Sequence, residues 1–180
     1  MKTLLRSVLF LGLLGALGAA VAAAQQSKPA TDVKADQIEA TLREEIVQFR
    51  PVVDMPIRTV DAGGHNIGVG LVYRLTPGQG GSASHDKVSE VYYILDGAGT
   101  LVTGGTLTEP NRRESTLTTV ASINGPGVSG TRIQNGASRR IAKGDVVIIP
   151  AGTPHWWPEV QETITYTVVR VDPSRVVALK

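Results

Sequence analysis

The 180-residue sequence contains no cysteine. This absence excludes disulfides, thiolate zinc sites, iron–sulfur clusters and a cysteine nucleophile. Aromatic residues are also scarce, at 4% of the chain, whereas there are 20 glycines and 10 prolines. Such a balance predicts many turns and short strands. If the protein is exported, its stability must come from packing and hydrogen bonds rather than from covalent cross-links.

Several functional signatures are missing as well. The glycine pairs Gly68/Gly70 and Gly97/Gly99 lack the third glycine and the following helix that nucleotide binding requires. The sequence has no Walker motif and no nucleophile elbow around a serine. Of its 18 basic residues, two lie in the N-terminal segment described next, which leaves 16 basic and 16 acidic residues. No basic stripe with interleaved aromatics appears, so we expect no nucleic-acid partner.

The first 24 residues have the pattern of a cleavable signal peptide. Lys2 and Arg6 are followed by an apolar run that ends in three alanines, which predicts cleavage after Ala24. The expected location is therefore the periplasm or the outside of the cell, with no membrane contact after cleavage. A transmembrane anchor is the alternative, but the leucine-rich part is short and fades into alanine and glycine.

Residues 25–50 are predicted to form a polar leader and an amphipathic helix. Apolar residues recur at helical spacing up to about Phe49, Asp32 or Asp36 is a candidate cap, and Pro51 stops the helix. Residues 51–180 are predicted to form a single β domain with these strands: Val52–Val60, Ile67–Leu75, Val88–Leu95, Thr100–Thr103, Val128–Ile133, Val146–Ile149 and Thr163–Val171. The long connection from Gly104 to Gly127 is predicted to be a surface excursion that is functional, covers the barrel mouth or is mobile.

Two motifs carry the chemistry. In the first, His85 is followed by Glu90 and, after six further residues, by Gly97. The second runs from Gly144 to His155 and contains Pro150 and Gly152. In this order and spacing the motifs resemble those of the cupin family, over about Ile67 to Val171. The resemblance implies an all-β fold, the double-stranded β-helix or jelly-roll barrel of six to eight antiparallel strands, here preceded by one α-helix.

The resemblance further implies a metal ion near the centre of the barrel, held by His85, Glu90 and His155. The residue types agree, because imidazole nitrogens and a carboxylate are suitable ligands for iron, manganese, nickel, copper or zinc. Glu90 also begins an apolar strand, where an unpartnered carboxylate would be costly. A metal ion or an arginine would relieve that cost.

The sequence departs from the family pattern at two positions. Ala83 stands where the family has its first histidine, and Glu159 stands where the family often has asparagine. What is left is a two-histidine, one-carboxylate set, as in non-haem iron oxygenases that keep positions open for substrate and O₂. The vacancy could instead be filled by His65, Gln79 or Ser82. A third reading is that the metal has been lost and His85 and Glu90 form a buried hydrogen-bonded pair.

Further residues are candidates for lining a pocket: His65, Gln79, Tyr93 and Trp157. Arg74, in an apolar strand, is expected either to pair with Glu90 or a substrate acid or to lie on the solvated outer face. Tyr73 and Tyr92 are expected to be ordinary barrel residues unless a hydroxyl faces the metal. No individual catalytic residue can be assigned from the sequence.

The function expected from the resemblance is an exported metalloenzyme, oxidoreductase or dioxygenase-like, acting on a small organic molecule or a carbohydrate. Its cofactor would be one divalent transition metal ion. The alternatives are a non-catalytic binding or sensory cupin, with or without metal, and a degenerate barrel that serves protein contacts. Because cupins often pair through barrel edges, a homodimer is expected.

Overall fold

In a computed structural model, the described residues are 29–48, 50–75 and 80–180. The predicted signal peptide, Phe49 and Gln79 lie outside them, so the predictions on these residues stay untested. From Thr31 onward, the described residues form one compact unit with one α-helix, one π-helical turn and eleven strands. No helix in these ranges is long and apolar enough to cross a membrane.

The helix α1 spans Ala35–Ile46. Its N-cap is Lys34, whose backbone N–H donates to the Gln37 side chain over 3.0 Å, so the prediction of an aspartate cap was wrong. Asp36 instead lies in the first turn, where its charge complements the helix dipole. The helix packs against the first two strands, and its last turn buries Glu45 and leaves Ile46 43% exposed. The predicted apolar stripe of α1 is therefore not buried at Ile46, and the neighbouring residue Glu45 is buried instead.

The strands are β1 Val52–Asp61, β2 Asn66–Arg74, β3 Ser82–His85, β4 Ser89–Thr103, β5 Thr106–Leu107, β6 Asn111–Arg112, β7 Gly127–Gly130, β8 Ile133–Gln134, β9 Ala137–Ala142, β10 Val146–Ile149 and β11 His155–Asp172. A π-helical turn, Val120–Asn124, precedes β7. Every strand pair is antiparallel. The expected all-β double-stranded β-helix, or jelly-roll barrel, preceded by one α-helix, is confirmed.

Two long strands organise the barrel. β11 lies between β2 and β4, and its first residue also bridges to β3, which continues into β7 and β6. β4 pairs in addition with β9 and β10. Register shifts along the β4–β11 pair bend both strands, so that they contribute to both halves of the barrel.

Gly97 lies at one of these bends, within what the sequence predicted as the gap between two strands. The structure joins them into the single strand β4. Gly97 has a φ of 80°, and a Cβ there would lie 2.1 Å from the Thr163 carbonyl oxygen of β11. Only glycine fits this close approach of two backbones. This motif residue is therefore structural, since it allows β4 and β11 to stay paired through the bend.

The core lies between the two halves of the barrel. It is built mainly from alternate residues of β4, β10 and β11, with Leu101, Ile164 and Val168 fully buried. The rings of Tyr92 and Trp157 pack against Tyr166, with centroid distances of 4.4 and 5.8 Å. Tyr92 and Tyr166 also line the cavity that holds the histidines of both motifs, so these ring contacts support one side of it.

The buried Glu45 should make stability depend on pH. Burial, reinforced by the negative charge of Asp54 and only partly opposed by the backbone N–H of Met55, raises the pKa of Glu45 from 4.5 to about 8. Between these values the folded state keeps a proton that the unfolded state has lost, so the free energy of unfolding must fall as pH rises. Urea unfolding at pH 5, 6.5 and 8 should show this slope in the native protein and a shallower slope in Glu45→Gln. The exposed neighbour gives the control, since Glu44→Gln should keep the native slope; equal slopes in all three proteins would contradict the assignment.

Candidate metal centre and cavity

The barrel encloses a cavity of about 190 Å³. Among the described residues that line it, nine have polar side chains: Asp54, Arg74, His85, Glu90, Tyr92, Asn124, His155, Tyr166 and Arg170. The two sequence motifs therefore meet in one place, although 70 residues separate their histidines in the chain. A backbone hydrogen bond of 2.6 Å from Gly152 N–H to the His85 carbonyl joins the motifs directly.

Strand alternation decides which side chains enter the cavity. Along β4, Glu90 and Tyr92 point inward and are 1% and 3% exposed, whereas Tyr93 is 49% exposed on the outer face. His85 is the last residue of β3, and His155 is the first residue of β11, paired across the strands with Ala83. The small side chain of Ala83 lines the cavity, so the position of the missing family histidine is open space beside His155.

The three predicted ligand residues are brought together. Glu90 Oε2 lies 3.7 Å from His85 Nε2 and 3.6 Å from His155 Nε2, and the potential ligand atoms all lie within 4.8 Å of one another. All three residues are buried. In donor type and spacing, this His–Glu–His cluster is compatible with one transition metal ion.

Glu90 is held in place by two further side chains. Arg170 Nε donates to Glu90 Oε1 over 2.9 Å, and the Tyr92 hydroxyl donates to Oε2 over 2.6 Å. Burial by itself raises the pKa of Glu90, but the positive charge of Arg170 and the hydrogen bond from Tyr92 outweigh this effect and lower the pKa below its ordinary value. The carboxylate is therefore ionised at neutral pH, and its charge is compensated by Arg170 without any metal.

Arg170 also reaches across β2 to β1. Its two terminal amino groups donate to both carboxylate oxygens of Asp54, over 3.1 and 2.6 Å. The path is free because β2 has glycine at position 70, where a Cβ would lie 3.3 Å from the Arg170 guanidinium and 2.9 Å from the Met55 carbonyl oxygen. One guanidinium thus connects β11, β4 and β1 through three charged hydrogen bonds.

The two histidines are prepared for different roles. His155 Nδ1 lies 3.1 Å from the Thr153 carbonyl oxygen, which can only accept, so Nδ1 carries the proton and Nε2 presents a lone pair to the cavity. His85 Nδ1 lies 3.0 Å from the Arg113 guanidinium, which can only donate. In neutral His85 the proton therefore belongs on Nε2, the atom that faces Glu90.

Both imidazoles are neutral in this setting. Burial lowers the pKa of His85 to about 3, and the charges of Arg113 and Arg170 act in the same direction against the opposing effect of Glu90. Burial likewise lowers the pKa of His155, against the opposing effects of Glu90 and the Thr153 carbonyl. Neutral imidazole is the form that binds a metal.

The residues accordingly fit a metal ion with one adjustment. Glu90 keeps lone pairs on both oxygens, and His155 already has the tautomer of a ligand whose Nδ1–H is held by a carbonyl. His85 can ligate through Nε2 only if its proton moves to Nδ1, and Arg113 must then give up its hydrogen bond. Arg113 is otherwise held by the Ser84 and Val128 carbonyl oxygens.

The structure separates the predicted pocket residues. Tyr93 faces outward, as the alternation of β4 requires, and Trp157 is buried in the core against Tyr166 instead of lining the cavity. His65 lies in the turn between β1 and β2, away from the cavity wall. Among the three pocket predictions in the described ranges, none is brought to the cavity, and Gln79 lies outside these ranges. Ser82, the other candidate for the vacancy, donates to the Arg132 carbonyl.

Sequence reasoning missed Asp54, Arg113, Asn124 and Arg170. A signal existed for Arg170, because two-residue alternation along β11 puts it on the same face as Tyr166 and Val168. Arg113 and Asn124 belong to the Gly104–Gly127 connection. The sequence predicted a surface excursion here, but the connection places both residues at the site. No periodicity in the sequence predicts that.

Replacing Arg170 should be strongly destabilising. Arg170→Met leaves Glu90 and Asp54 without their shared counter-ion, and removing one partner of a buried pair costs about 3–5 kcal/mol. The matched control is Arg175→Met, which removes the exposed ion pair with Asp61 and should cost about 1 kcal/mol or less. Urea unfolding of the two variants measures both values, and similar losses would show that Glu90 does not depend on Arg170.

The two buried histidines should have opposite tautomers in the metal-free protein. Long-range ¹H–¹⁵N correlation spectra resolve this question, since the chain has only three histidines. We expect the proton on Nε2 of His85 and on Nδ1 of His155. In Arg113→Met the preference of His85 should weaken while that of His155 stays the same. Equal tautomers in the native protein would contradict the role of Arg113.

No protein-family model matches the sequence. No curated protein matches it either. Among solved structures, the chain is similar to a Cupin 2 conserved barrel domain protein from Salinispora arenicola, with 17% identity, 69% of this chain and 79% of that chain covered, and a TM-score of 0.40. It is similar to a protein with a double-stranded β-helix domain from Klebsiella pneumoniae, with 19% identity, 69% and 84% covered, and a TM-score of 0.38. For the EutQ protein of Clostridium difficile the values are 14%, 68% and 69%, and 0.41.

Likenesses this distant say nothing about activity. The assignment of the fold rests on the chain itself, in which an antiparallel jelly-roll barrel brings the histidines and the glutamate of the two motifs to one buried point. The chain therefore has the double-stranded β-helix, or jelly-roll, fold.

Proposed function

We propose that the protein binds one divalent transition metal ion through His85, Glu90 and His155 and acts as a metal-dependent enzyme on a small organic molecule in the barrel cavity. The observation that carries this proposal is the cluster of three buried ligand atoms within 4.8 Å of one another at the wall of a cavity. Two buried neutral imidazoles and an ionised carboxylate that converge on one point are the donor types that bind a divalent transition metal ion.

The chain's own residues would set up the chemistry. Arg170 and Tyr92 fix the orientation and charge of Glu90, and the Thr153 carbonyl fixes the lone pair of His155 toward the cavity. Ala83 leaves room beside His155 where a fourth protein ligand would otherwise stand. A bound transition metal supplies a Lewis acid with open positions, chemistry that suits oxidation of a small molecule by O₂.

Metal binding is tested on the chain beginning at Gln25. Isothermal titration after chelator treatment, with elemental analysis of the untreated protein, should give one ion per chain. His155→Ala removes a ligand and should weaken binding about a hundredfold or more. His65→Ala is the matched control, because it removes a histidine away from the cavity, and should bind as the native protein does. Equal affinities in all three proteins would overturn the assignment of the site.

Turnover is tested separately. Metal-loaded protein should consume O₂ with at least one member of a panel of phenols, organic acids and oligosaccharides, and His155→Ala should not. Metal binding without turnover on such a panel would favour the non-catalytic binding or sensory cupin over the enzyme.

One observation favours a second candidate, a metal-free binding protein. Arg170 already balances Glu90, and Arg113 holds His85 in a tautomer that cannot ligate through Nε2. The cluster would then be a hydrogen-bonding site in which His85 donates and His155 accepts. Absence of stoichiometric metal from native protein, together with the titration above, decides between the two candidates.

Export is part of the proposal and depends on the N-terminal sequence alone. The positive start, apolar run and alanine-rich end of residues 1–24 support cleavage after Ala24 and delivery to the periplasm or outside the cell. A homodimer is likewise a proposal, because cupins, whose motifs this sequence resembles, often pair through barrel edges.

A further inference from the structure

Arg74 is the one arginine of the cavity wall whose charge is not used by a carboxylate of the described residues. It is the last residue of β2 and lines the same cavity as His85, Glu90 and His155. Its Nε donates to the Tyr166 hydroxyl over 3.1 Å. Within the described ranges, no group accepts a hydrogen bond from its two terminal amino groups. The sequence left open a pairing with Glu90, but Arg170 takes that place.

The surroundings keep the guanidinium in the cavity. Gly80 packs against it, and a Cβ at that position would lie 2.8 Å from the Arg74 terminal nitrogen. The Tyr166 ring below is 1% exposed and fixed in the aromatic core. Arg74 is thus a positioned donor fork rather than a mobile surface cation.

Within the described residues, no carboxylate forms an ion pair with Arg74, although the negative charge of Asp54 acts on it at longer range. Asp54 and Glu90 are the acidic residues of the described wall, and both are engaged by Arg170. A guanidinium fork matches the two oxygens of a carboxylate in a bidentate pair. Because no other unpaired cation of the described residues lines this wall, the site suits a singly charged carboxylate better than a phosphate dianion.

A second polar group in the wall is also unsatisfied. Asn124, from the π-helical turn, lines the cavity, and its Oδ1 is buried without a hydrogen-bond partner. Buried polar atoms without a hydrogen-bond partner are rare in folded proteins. Such an atom therefore indicates a position where water or a ligand can bind. The cavity volume of about 190 Å³ is smaller than the roughly 300–1,000 Å³ of pockets for drug-sized ligands, so the cavity suits a small ligand.

We propose that Arg74 binds the carboxylate of a small organic acid inside the barrel, next to the His–Glu–His cluster. The inference rests on the proposed function for the role of this acid as substrate, whereas the binding step itself needs no metal. Arg74 is then the residue that selects ligands by charge, and Asn124 is placed to contact a polar group on the same molecule.

The test uses the chain beginning at Gln25 after chelator treatment, and again after loading with metal. The probes are acetate, glycolate, succinate and benzoate, each paired with its neutral amide, with glucose and glycerol phosphate as competing ligand classes. Isothermal titration should show saturable binding of at least one acid and none of its amide. Arg74→Met should weaken that binding about tenfold or more, and Arg74→Lys, which keeps the charge but loses the fork, should fall between.

Arg140→Met, an arginine on the exposed strand β9, is the matched control and should bind as the native protein does. Thermal unfolding of each variant establishes that it is folded, and Arg74→Lys serves if Arg74→Met is not. The inference is overturned if no acid binds, if acid and amide bind alike, if glycerol phosphate or glucose binds more tightly than every acid, or if the folded Arg74 variants bind like the native protein. Acid binding without any metal binding would refute the metal site and leave this inference standing, and metal binding without acid selectivity would do the reverse.

Discussion

The guanidinium of Arg170 is the constraint on which the site depends. It sits inside a barrel where an uncompensated charge would be very costly, and it satisfies that cost by pairing with Glu90 on one side and Asp54 on the other. Three strands that are distant in sequence are thereby fixed around one group. The close approach requires glycine at position 70 of β2, so even the backbone of the intervening strand is shaped by this interaction.

Because Glu90 is held by Arg170 and Tyr92, the cluster does not need a metal to be stable. This separates the present site from one in which ligands are kept apart only by their ion. The two histidines are also fixed by protein groups. The Thr153 carbonyl leaves His155 Nε2 with a free lone pair, as a metal ligand needs, whereas Arg113 leaves the proton of His85 on Nε2, where it can only donate. Binding of a metal ion would therefore require His85 to change its hydrogen bonding, because its proton would have to move from Nε2 to Nδ1. Arg113, from the long connection between β4 and β7, opposes this change by donating to Nδ1.

The cavity combines a balanced ionic group with an unbalanced one. Arg170 pairs with carboxylates of the protein, whereas Arg74, on the neighbouring strand, hydrogen-bonds the protein through Nε and directs its terminal nitrogens to the cavity. Two arginines in one small barrel thus have different roles because of where their strands place them, and the residue type alone does not distinguish them. The aromatic floor of Tyr92, Trp157 and Tyr166 gives both a rigid support.

The sequence by itself predicted a β-rich domain of short antiparallel strands from its alternating residues and turn glycines. The jelly-roll barrel and the cluster of His85, Glu90 and His155 were predicted from the resemblance of the two motifs to those of the cupin family. The tertiary structure alone decided what surrounds that cluster. Arg170 and Asp54 meet across an intervening strand, Arg113 and Asn124 come from a connection without periodicity, and Trp157 is buried in the core instead of lining the cavity. Such pairings depend on register and on the path of a long loop in space, which no spacing along the chain encodes.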